Sequence, residues 1–322
     1  MDEQRFVAYL QRKFPFRFGS GIGDDASLVR RGRSFQLVST DLLIEDVHFR
    51  LADVSLEALA EKALAVNVSD IAAMGGRPRY FYLGLGFPPR LAGDRLRRLF
   101  SGLSRAARKW DVDLAGGDLS RSRQLVIAIT IVGESARPLR RNGARPGDLV
   151  GITGPTGGSA LGLKLLLADV RRSPFIRLHQ HPQPQCAKGL TLSRFASAMI
   201  DISDGLLLDL SRVLRASGAG AVIDYGSIPR APGFQRQCRR LGLAEKELVL
   251  AGGEDYELLF TIAPEREKRL RRTGMAYHII GRVAKGRRLQ LRENGRRLRL
   301  PALGFDHFAK QADSSRPNEV NE

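Results

Sequence analysis

The sequence predicts an α/β protein of two domains, and three features lead to this class. At 322 residues, the chain is longer than an average single domain. Runs with helical periodicity alternate with short apolar runs typical of strands, which is the pattern of mixed helices and sheets. A charged stretch rich in proline and glycine lies near the middle and is typical of a linker. We therefore expect a first domain over 1–136, a linker over 137–148, a second domain over 149–311 and a disordered tail over 312–322.

The first domain is expected to begin with a short helix that leads into a glycine turn. Ser55 suits the N-cap of a long helix, and Gly75-Gly76 followed by Pro78 predicts where that helix stops. Alternating apolar residues predict the strands, and a basic amphipathic pattern predicts a second long helix. The predicted elements are the turn Gly19–Gly23, a strand over Phe35–Ser39 ending at Thr40-Asp41, the helix Leu56–Met74, a strand over Arg79–Gly86, the helix Leu91–Trp110, and strands over Val112–Ala115 and Leu125–Gly133.

The second domain opens with an apolar strand, a glycine turn and a helix. Three prolines predict that the segment after this helix is a loop. A further helix is expected to begin near Ser203-Asp204, where a capping residue precedes an apolar run. The predicted elements are a strand over Leu149–Thr153, a helix over Ser159–Ala168, a loop over Ser173–Gln185, and strands over Gly220–Asp224, Tyr256–Ile262 and Tyr277–Val283.

The chain is strongly basic, with a formal net charge of +18 and a pI near 10.8. Such a balance raises nucleic-acid binding as a hypothesis. The arginines are spread along the chain, no aromatic residues alternate with them, and no zinc-finger or basic-zipper motif is present. These observations favour a solvated, arginine-rich surface over a nucleic-acid partner. Electrostatic steering of a polyanionic substrate such as ATP is compatible with that surface.

The chain has no sequence feature that indicates a membrane or an oxidising compartment. No apolar run approaches the roughly 18 residues of a membrane span, and no apolar segment typical of a signal peptide follows the acidic N-terminus. Cys186 and Cys238 fit neither a metal-ligand spacing nor a disulfide framework, and each is interpreted as a small hydrophobic residue. We therefore expect a cytoplasmic protein.

The most informative feature is the position of the acidic residues. Surface acids in so basic a chain should have basic neighbours, but six segments embed carboxylates among glycines, small residues and apolar residues. These surroundings are typical of strand ends and turns near a core, where an unpaired carboxylate is costly. Oxygen ligands favour Mg²⁺, so divalent cations are the expected neutraliser, although each acid taken singly is also explained as a cap or turn residue. The segments are 23–26, 39–42, 68–71, 116–118, 200–205 and 252–255.

Two polar residues of the long predicted helix share one face. Asn67 and Asp70 are three residues apart, which separates them by about 60° around the helix axis. Leu59, Ala63 and Val66 lie on the same side, so Asp70 continues an apolar stripe. The alternative, that Asn67 and Asp70 bond only to neighbouring turns near the helix end, stays open on the sequence alone.

Two glycine-containing turns are candidates for phosphate binding. Residues 153–159 follow a strand and open a helix, so their N–H groups could meet an anion. This segment lacks the Gly-Lys-Ser/Thr ending of a P-loop and is not a Gly-x-Gly-x-x-Gly fingerprint, so it supports nucleotide binding only weakly. Ser203-Asp204-Gly205 places an acid at a helix start, which a plain N-cap also explains.

Taken in order, these segments resemble the thiamine-monophosphate kinase family, part of the superfamily that includes aminoimidazole ribonucleotide synthetase and selenophosphate synthetase. The likeness runs from about residue 19 to 308. The long-helix motif and the Gly-Gly-Glu-Asp-Tyr-Glu segment are specific to the kinase branch. The matching segments are 21–26, 39–41, 47–49, 62–75, 116–118, 201–206, 252–258 and 304–308.

The resemblance implies an ATP-dependent enzyme of thiamine diphosphate biosynthesis that phosphorylates thiamine monophosphate. It also implies a fold like that of aminoimidazole ribonucleotide synthetase, and a homodimer whose N-terminal sheets form a barrel across the two-fold axis. The implied ligands of several Mg²⁺ ions are Asp25, Ser39, Thr40, Asp41, Asp70, Asp118, Asp201 and Asp204, of which Asp41, Asp70, Asp118 and Asp204 are the implied catalytic residues. The implied nucleotide contacts are Gly117, Asp118, Arg141 and Ser203, and the implied contacts to thiamine phosphate are His48, Glu254 and Phe305.

Several positions depart from the family pattern. Asp46 stands where the family usually has glycine, and Leu119-Ser120 replaces the usual pair of threonines. His181 and Gln185 stand where the family normally carries arginines. None of these departures removes an implied metal ligand, so they bear on substrate contacts and not on the reaction.

The chemistry of the implied reaction agrees with the residues present. A phosphate nucleophile with a second pKa of about 6 is largely ionised at pH 7, so no general base is needed. Two alternatives stay open: another ATP-dependent enzyme of the same superfamily, or a basic nucleic-acid-binding protein on an inactive kinase scaffold. Against selenophosphate synthetase, no reactive cysteine precedes Cys186.

Overall fold

The computed structural model describes residues 3–301 and residue 304, and it confirms the prediction of two α/β domains. In this described part, the first domain combines three helices with a six-stranded sheet. Its elements are α1 (Glu3–Lys13), β1 (Gly19–Ser20), β2 (Ser27–Arg31), β3 (Ser34–Ile44), α2 (Leu56–Ala73), β4 (Arg77–Phe87), α3 (Asp94–Trp110), β5 (Asp113–Arg121) and β6 (Val126–Ser135).

The sheet of the first domain is mixed. Its strand order is β1-β2-β3-β6-β4-β5, and β4 and β5 pair in parallel while the other neighbours are antiparallel. One row across the sheet joins Asp41 on β3, Ile129 on β6, Leu83 on β4 and Gly117 on β5. This register places β3 and β5 three strand positions apart.

The second domain contains a seven-stranded sheet. Its elements are β7 (Leu149–Ile152), α4 (Gly158–Leu167), α5 (Pro174–Gln180), α6 (Cys186–Leu192), β8 (Ala198–Asp201), α7 (Leu206–Ser217), β9 (Gly220–Asp224), α8 (Phe234–Arg240), α9 (Glu245–Ala251), β10 (Leu258–Ile262), α10 (Pro264–Arg271), β11 (His278–Ala284), β12 (Leu289–Glu293) and β13 (Arg296–Leu298). The strand order is β13-β12-β9-β11-β7-β10-β8, with β12 and β9 parallel and the other neighbours antiparallel.

Helix α2 lies at the junction of the two domains. Ser55 caps it as predicted, because the Ser55 Oγ accepts the Ala58 N–H at 3.2 Å. The helix packs against α3, β3 and β6 of its own domain and against α6 and β8 of the second domain. It is therefore buried on nearly all sides, which explains why its apolar residues are not confined to one stripe.

Two strands of the first domain are longer than predicted. β3 does not end at Thr40-Asp41 but continues to Ile44, because its pairing with β6 runs unbroken to that residue. β5 continues through residues 116–118 to Arg121, because it stays paired with β4. The glycines and the acid at 116–118 therefore lie within a strand and not in a turn.

The segment 173–185 was predicted to be a loop, and this was wrong in part because it includes α5. Ser173 caps this helix by accepting the Phe175 N–H, and Pro174 stands in its first turn, where a missing N–H is tolerated. Helices α6, α8, α9 and α10 and strands β1, β2, β8, β12 and β13 were not predicted. They are short, so few residues carry their periodicity.

Residues 137–148, the predicted linker, lie between β6 and β7 and are partly folded. They include a 3₁₀ turn over Arg141–Gly143. A Cβ on Gly143 would lie 1.7 Å from the Ser197 carbonyl oxygen, so only glycine fits this close approach to the second domain. The connection is thus held against the second domain.

Neither sheet closes into a barrel over the described residues. The first sheet ends at β1 and β5, and the second ends at β13 and β8. The barrel implied by the resemblance needs a second copy of the chain and stays a prediction. Over the same residues, no helix has both the length and the apolar character needed to cross a membrane.

Candidate functional site

A cleft with a volume of about 800 Å³ lies between the two domains. The first domain contributes the end of β3, the turn after it and α2. The second domain contributes α4, α5 and the loops after β8 and α9. The predicted site residues that line the cleft are Asp41, His48, Asp70, Asp201, Ser203, Asp204 and Glu254. Concave sites between domains are common places for ligands to bind.

Three carboxylates converge beside this cleft, and we call Asp25, Asp70 and Asp201 the carboxylate cluster. Each offers one oxygen, and these oxygens lie within 4.8 Å of one another. Asp25 comes from the segment before β2, Asp70 from the last turn of α2, and Asp201 from the end of β8. Oxygen ligands at this spacing are suited to a shared divalent cation.

Neighbouring hydroxyl groups fix the orientation of the cluster. The Ser39 Oγ donates a hydrogen bond to Asp70, and the Ser69 Oγ donates one to Asp201 Oδ2 at 2.6 Å. Asp201 is buried and lies at the end of β8, an apolar strand at the edge of the second sheet. The hydroxyls satisfy one oxygen of each acid, so the other oxygen remains available to a ligand.

Asn67 ties α2 to β3. Its amide nitrogen donates to the Ala63 carbonyl oxygen at 2.9 Å, and its amide oxygen accepts the Asp41 N–H at 3.2 Å. Asp70 meets acids from other elements, so it does not serve only its own helix end. The alternative that both residues bond only to neighbouring turns is therefore wrong.

Burial raises the pKa of the cluster acids. For Asp70, burial acts first and the charges of Asp41 and Asp201 add to it, so its pKa lies well above the usual value. Burial likewise raises the pKa of Asp25 and, more strongly, that of Asp201. Burial, followed by the charges of Asp204 and Asp25, raises the pKa of Asp41 to about 6. A cation among these groups would favour their ionised forms.

Arg141 is the basic partner of the cluster. Its guanidinium donates to Asp25 Oδ1, and its backbone N–H donates to Asp24 Oδ1 at 2.9 Å. Among the residues described, Asp25 Oδ2 and Arg141 Nε are buried without a hydrogen-bond partner. An unpartnered carboxylate oxygen beside two further carboxylates is what a metal ligand requires, so these residues fit Mg²⁺.

An acid that the sequence analysis did not identify holds the loop after β8. Asp209 is fully buried in the first turn of α7, and its Oδ2 accepts the N–H groups of Ser203, Asp204 and Gly205 at 3.1–3.2 Å. Arg212 Nη1 donates to Asp209 Oδ1 and to Asp204 Oδ2, both at 2.6 Å. An acid in the first turn of a predicted helix was the available signal.

Glu254 lines the cleft with its backbone in the left-handed region, at φ +62°. Its N–H donates to the Ser203 carbonyl oxygen at 2.7 Å, which ties this segment to the loop after β8. Its carboxylate lies 2.9 and 3.0 Å from Lys62 Nζ and 3.0 Å from His179 Nδ1. Burial alone would raise the pKa of Glu254, but Lys62 and His179 outweigh it and hold that pKa at about 2. The sequence analysis gave no role to Lys62 or His179.

His48 lines the cleft from the turn after β3. Its Nδ1 accepts the Ile44 N–H at 3.1 Å, so the neutral ring carries its proton on Nε2. Asp46 in the same turn has φ +66°, a conformation that favours glycine. The usual glycine of the family at this position is thus explained by backbone geometry.

The glycine turn at 153–159 does not offer all its N–H groups to a phosphate. Asp255 Oδ2 accepts the Gly157 N–H at 2.7 Å, and Asp255 Oδ1 accepts the Ser159 N–H at 3.2 Å. An internal carboxylate therefore occupies the helix start where an anion would bind. These contacts count against a role for this turn in phosphate binding, for which the sequence offered only weak support.

Two implied site residues lie on the edge strand of the first sheet. Asp118 on β5 pairs with Gly84 on β4, and its carboxylate accepts a hydrogen bond from Ser120 at 2.9 Å. With neighbouring strands about 4.8 Å apart, the three steps from β3 to β5 separate Asp118 from Asp41 by about 14 Å. Within one chain, Gly117 and Asp118 are therefore not brought to the carboxylate cluster.

Of two further implied residues, Thr40 lies apart from the carboxylate cluster and Phe305 lies outside the described residues. Thr40 is exposed, and its Oγ1 lies 2.9 Å from Thr130 Oγ1 on β6. Successive residues of a strand point to opposite faces, so Thr40 and Asp41 face opposite sides of the sheet. Phe305 lies outside the described residues. Its neighbour Gly304 lies against α7, where an added Cβ would be 2.4 Å from the Asp204 carbonyl oxygen.

The two positions where the family usually has arginine contact carboxylates. His181 Nδ1 lies 2.9 Å from Glu61 Oε2, and Gln185 Nε2 lies 3.5 Å from Glu257 Oε1. An arginine at either position would find the same acidic partner. The departures therefore keep a polar contact while removing a permanent positive charge.

Comparison with known proteins places both domains in one family. Residues 23–135 match the model of the AIR synthase related protein N-terminal domain, and residues 145–294 match that of the C-terminal domain. The chain is 35% identical over 306 residues to the thiamine-monophosphate kinase of Bacillus subtilis, covering 89% of this chain and 93% of the relative. It is 35% identical over 290 residues to the thiamine-monophosphate kinase of Pyrococcus horikoshii, covering 89% and 91%. The solved structure of AaThiL complexed with AMPPCP and TMP is 32% identical, with a TM-score of 0.86, and the match covers 95% of this chain and 97% of that one.

Proposed function

Because this chain belongs to the thiamine-monophosphate kinase family, within the AIR synthase related proteins, we propose that it transfers the γ-phosphoryl group of ATP to thiamine monophosphate. The products are thiamine diphosphate and ADP. The convergence of the carboxylate cluster beside a cleft that His48 and Glu254 also line is the observation that carries this proposal. The similar protein AaThiL is complexed with AMPPCP and TMP.

The proposed reaction is a direct in-line transfer. A phosphate oxygen of thiamine monophosphate attacks the γ-phosphorus of ATP, a new P–O bond forms, and the bond to the β-phosphate oxygen breaks as ADP leaves. The attacking oxygen is already largely ionised at neutral pH, so no side chain has to remove a proton from it. The task of the protein is therefore to bring two anions together and orient them.

Repulsion between the two phosphate groups is the main obstacle. Each pair of unit charges about 4 Å apart costs about 4 kcal/mol at an effective dielectric constant near 20. Asp25, Asp41, Asp70, Asp201 and Asp204 are the residues in this chain that would hold Mg²⁺. When bound there, Mg²⁺ ions neutralise phosphate charge and stabilise the charge of the transition state. Ser39 orients Asp70, and Ser69 orients Asp201, for this task.

The nucleotide and the phosphoryl acceptor are assigned to different residues of the site. Ser203 contacts the nucleotide through its hydroxyl, since its backbone N–H already bonds Asp209. Arg141 retains an unpartnered buried Nε, which is a donor suited to a phosphate. His48 and Glu254 bind thiamine monophosphate, and Phe305 is proposed to pack on its rings.

The protein is proposed to act as a homodimer through the outer face of its first sheet. This face leaves large apolar side chains exposed, among them Leu42 and Tyr82, each 45% exposed. Gly117 and Asp118 lie on the edge strand of the same sheet. A partner sheet packed here would extend the two sheets into a barrel, and Asp118 of each subunit would serve the carboxylates of the other.

The proposed function is tested by incubating the purified protein with ATP, Mg²⁺ and thiamine monophosphate and separating the products by mass-resolved chromatography. We expect thiamine diphosphate in the complete mixture and none in parallel mixtures that lack Mg²⁺ or contain unphosphorylated thiamine. The Asp70→Asn variant is expected to lose activity by orders of magnitude because it removes a cluster carboxylate. A folded protein that binds ATP but forms no thiamine diphosphate would rule out this acceptor.

A further inference from the structure

The ion pair between Lys62 and Glu254 affects how the site recognises the substrate that receives the phosphoryl group. We infer that Lys62 and His179 are positioning residues that make Glu254 a charge-neutralised acceptor of one hydrogen bond from the substrate. The substrate group that such an acceptor recognises is an N–H donor, which in thiamine monophosphate is the exocyclic amine of the pyrimidine ring. This inference rests on the proposed function, because it takes thiamine monophosphate as the substrate that receives the phosphoryl group.

The three residues come from both domains and meet at the wall of the cleft. Lys62 lies on α2 and is only 3% exposed, while His179 lies on α5 and is 8% exposed. Glu254 lies after α9, and its side chain is 30% exposed. All three line the cleft. Lys62 and His179 are thus behind the carboxylate, and the carboxylate itself is the group that remains accessible from the cleft.

The contacts leave Glu254 one acceptor position. A carboxylate has about four lone-pair sites, two on each oxygen. Lys62 Nζ lies 2.9 Å from Oε1 and 3.0 Å from Oε2, and His179 Nδ1 lies 3.0 Å from Oε2. Ser159 Oγ also lies 3.0 Å from His179 Nδ1, and we assign the Nδ1 hydrogen to Glu254. With that assignment Oε2 is fully used, and Oε1 retains one site. A substrate donor that reaches Glu254 from the cleft has only this site to bind.

The charge of Glu254 is balanced before any substrate arrives. At 2.9 Å, the ammonium of Lys62 cancels most of the field of the carboxylate at distances longer than the pair itself. The positive thiazolium ring of the substrate therefore gains little attraction from Glu254. The strength of the interaction must come from a short, directed hydrogen bond, for which an ionised acceptor is well suited.

The backbone around Glu254 is held so that this geometry persists. Glu254 and Tyr256 both have positive φ, at +62° and +51°. Their N–H groups donate to the carbonyl oxygens of Ser203 at 2.7 Å and Ile202 at 2.9 Å. Such strained positions are retained where the surrounding contacts fix them and often serve a site. The anchoring also fixes Glu254 relative to the loop that carries Asp204.

The test uses two single variants and their combination. Lys62→Met leaves the charge of Glu254 without its lysine partner, and Glu254→Gln leaves Lys62 without its carboxylate partner, so each should raise the KM for thiamine monophosphate about tenfold or more. In the double variant K62M/E254Q the amide oxygen still accepts a hydrogen bond and no unpaired charge is buried. Its KM should return to within about threefold of wild type, with kcat little changed in all three. Lys246→Met, which breaks the exposed pair of Lys246 with Glu293, is the matched control and should leave KM unchanged.

A double variant whose KM is at least as high as that of the single variants would show that the charge of Glu254 binds the substrate, and would overturn the inference. An unchanged KM in Lys62→Met would overturn it as well. If Lys62→Met does not fold, His179→Leu and His179→Asn replace it. The asparagine amide stands in for Nδ1, so His179→Asn should keep KM within about threefold while His179→Leu raises it; equal KM values for the two would reject the role of His179.

The same variants are also compared by calorimetric binding of thiamine monophosphate, which does not depend on turnover. A wild-type protein that binds thiamine monophosphate without turnover counts against the kinase reaction, and the pattern of dissociation constants then still decides the role of Lys62. A wild-type protein that binds no thiamine monophosphate overturns both proposals.

Discussion

At the scale of single residues, the acids of the cleft differ in protonation because their partners differ. Glu254 lies beside Lys62 and His179, and these neighbours hold its pKa at about 2 despite burial. Asp41 is surrounded by other acids, and burial together with Asp204 and Asp25 raises its pKa to about 6. Glu254 is therefore ready as an ionised acceptor, whereas the carboxylates near Asp41 become fully ionised when a cation joins them.

These shifts predict how Mg²⁺ stabilises the protein at different pH values. Acids with a raised folded pKa hold protons that the unfolded chain has already lost, so without metal their contribution to stability falls as the pH rises from about 4 through the raised pKa values. Mg²⁺ binds the ionised cluster, so its stabilising effect should increase with pH. When the free Mg²⁺ concentration is 100 times the dissociation constant, the free energy of unfolding rises by about 2.7 kcal/mol. Thermal unfolding with and without Mg²⁺ at pH 5.5, 6.5 and 7.5 measures this trend.

The Asp70→Asn variant is the control for this measurement. It removes one carboxylate of the cluster, so the gain from Mg²⁺ should shrink at every pH. A gain in wild type that is the same at all three pH values would contradict the assignment of the cluster as the Mg²⁺ site.

At the scale of elements, the start of α7 shows how a buried acid builds part of the site. Asp209 satisfies three successive N–H groups in the loop that carries Ser203 and Asp204. Through Arg212 it also fixes the carboxylate of Asp204. The shape of this loop therefore depends on one side chain that does not line the cleft.

Replacing Asp209 by alanine should lower both stability and metal affinity. The change leaves three N–H groups and the guanidinium of Arg212 without this buried acceptor, so the free energy of unfolding should fall by about 3 kcal/mol or more. Urea unfolding measures the loss, and calorimetric titration with Mg²⁺ and ATP measures the weaker binding. Asp224→Ala is the matched control, because Asp224 is exposed and caps a 3₁₀ turn in the same domain, and its loss should cost about 1 kcal/mol. Equal losses in the two variants would contradict the role given to Asp209.

At the scale of the whole molecule, the position of Asp118 links activity to assembly. The carboxylate cluster is complete within one chain, but Asp118 lies on the edge strand, three strands from Asp41. From this position Asp118 can bind Mg²⁺ at a carboxylate cluster only if that cluster belongs to a second subunit. The proposed homodimer therefore predicts that two inactive variants can restore activity in each other, which a site formed by one subunit does not predict.

Mixed dimers of two inactive variants test this arrangement. Asp41→Asn and Asp118→Asn should each lose activity by orders of magnitude on their own. If each subunit supplies Asp118 to its partner, half of the dimers formed by unfolding and refolding an equal mixture are mixed, and each contains one intact site, which restores about a quarter of wild-type activity. Recovery is measured as thiamine diphosphate formed per subunit. No recovery, in a mixture shown to contain mixed dimers, would place the action of Asp118 within its own chain.

The sequence was sufficient for the features that depend on local patterns. It predicted the two-domain α/β class, the capped helix α2 and the acids Asp25, Asp70 and Asp201 as candidate ligands. It also carried the motifs that resemble the kinase family, and the family membership is confirmed. Capping residues, helical periodicity and an acid among glycines are all visible within a short window of the chain.

The tertiary structure alone decided which of those residues meet. Lys62 and Glu254 pair across 192 positions, and neither position has a local pattern that points to the other. Asp255 fills the glycine turn that resembled a phosphate cradle, and Asp118 lies away from the acids with which it was grouped. Contacts between distant segments depend on how helices and sheets pack, and local sequence preferences do not encode that packing, so only the folded chain shows where its charges are balanced.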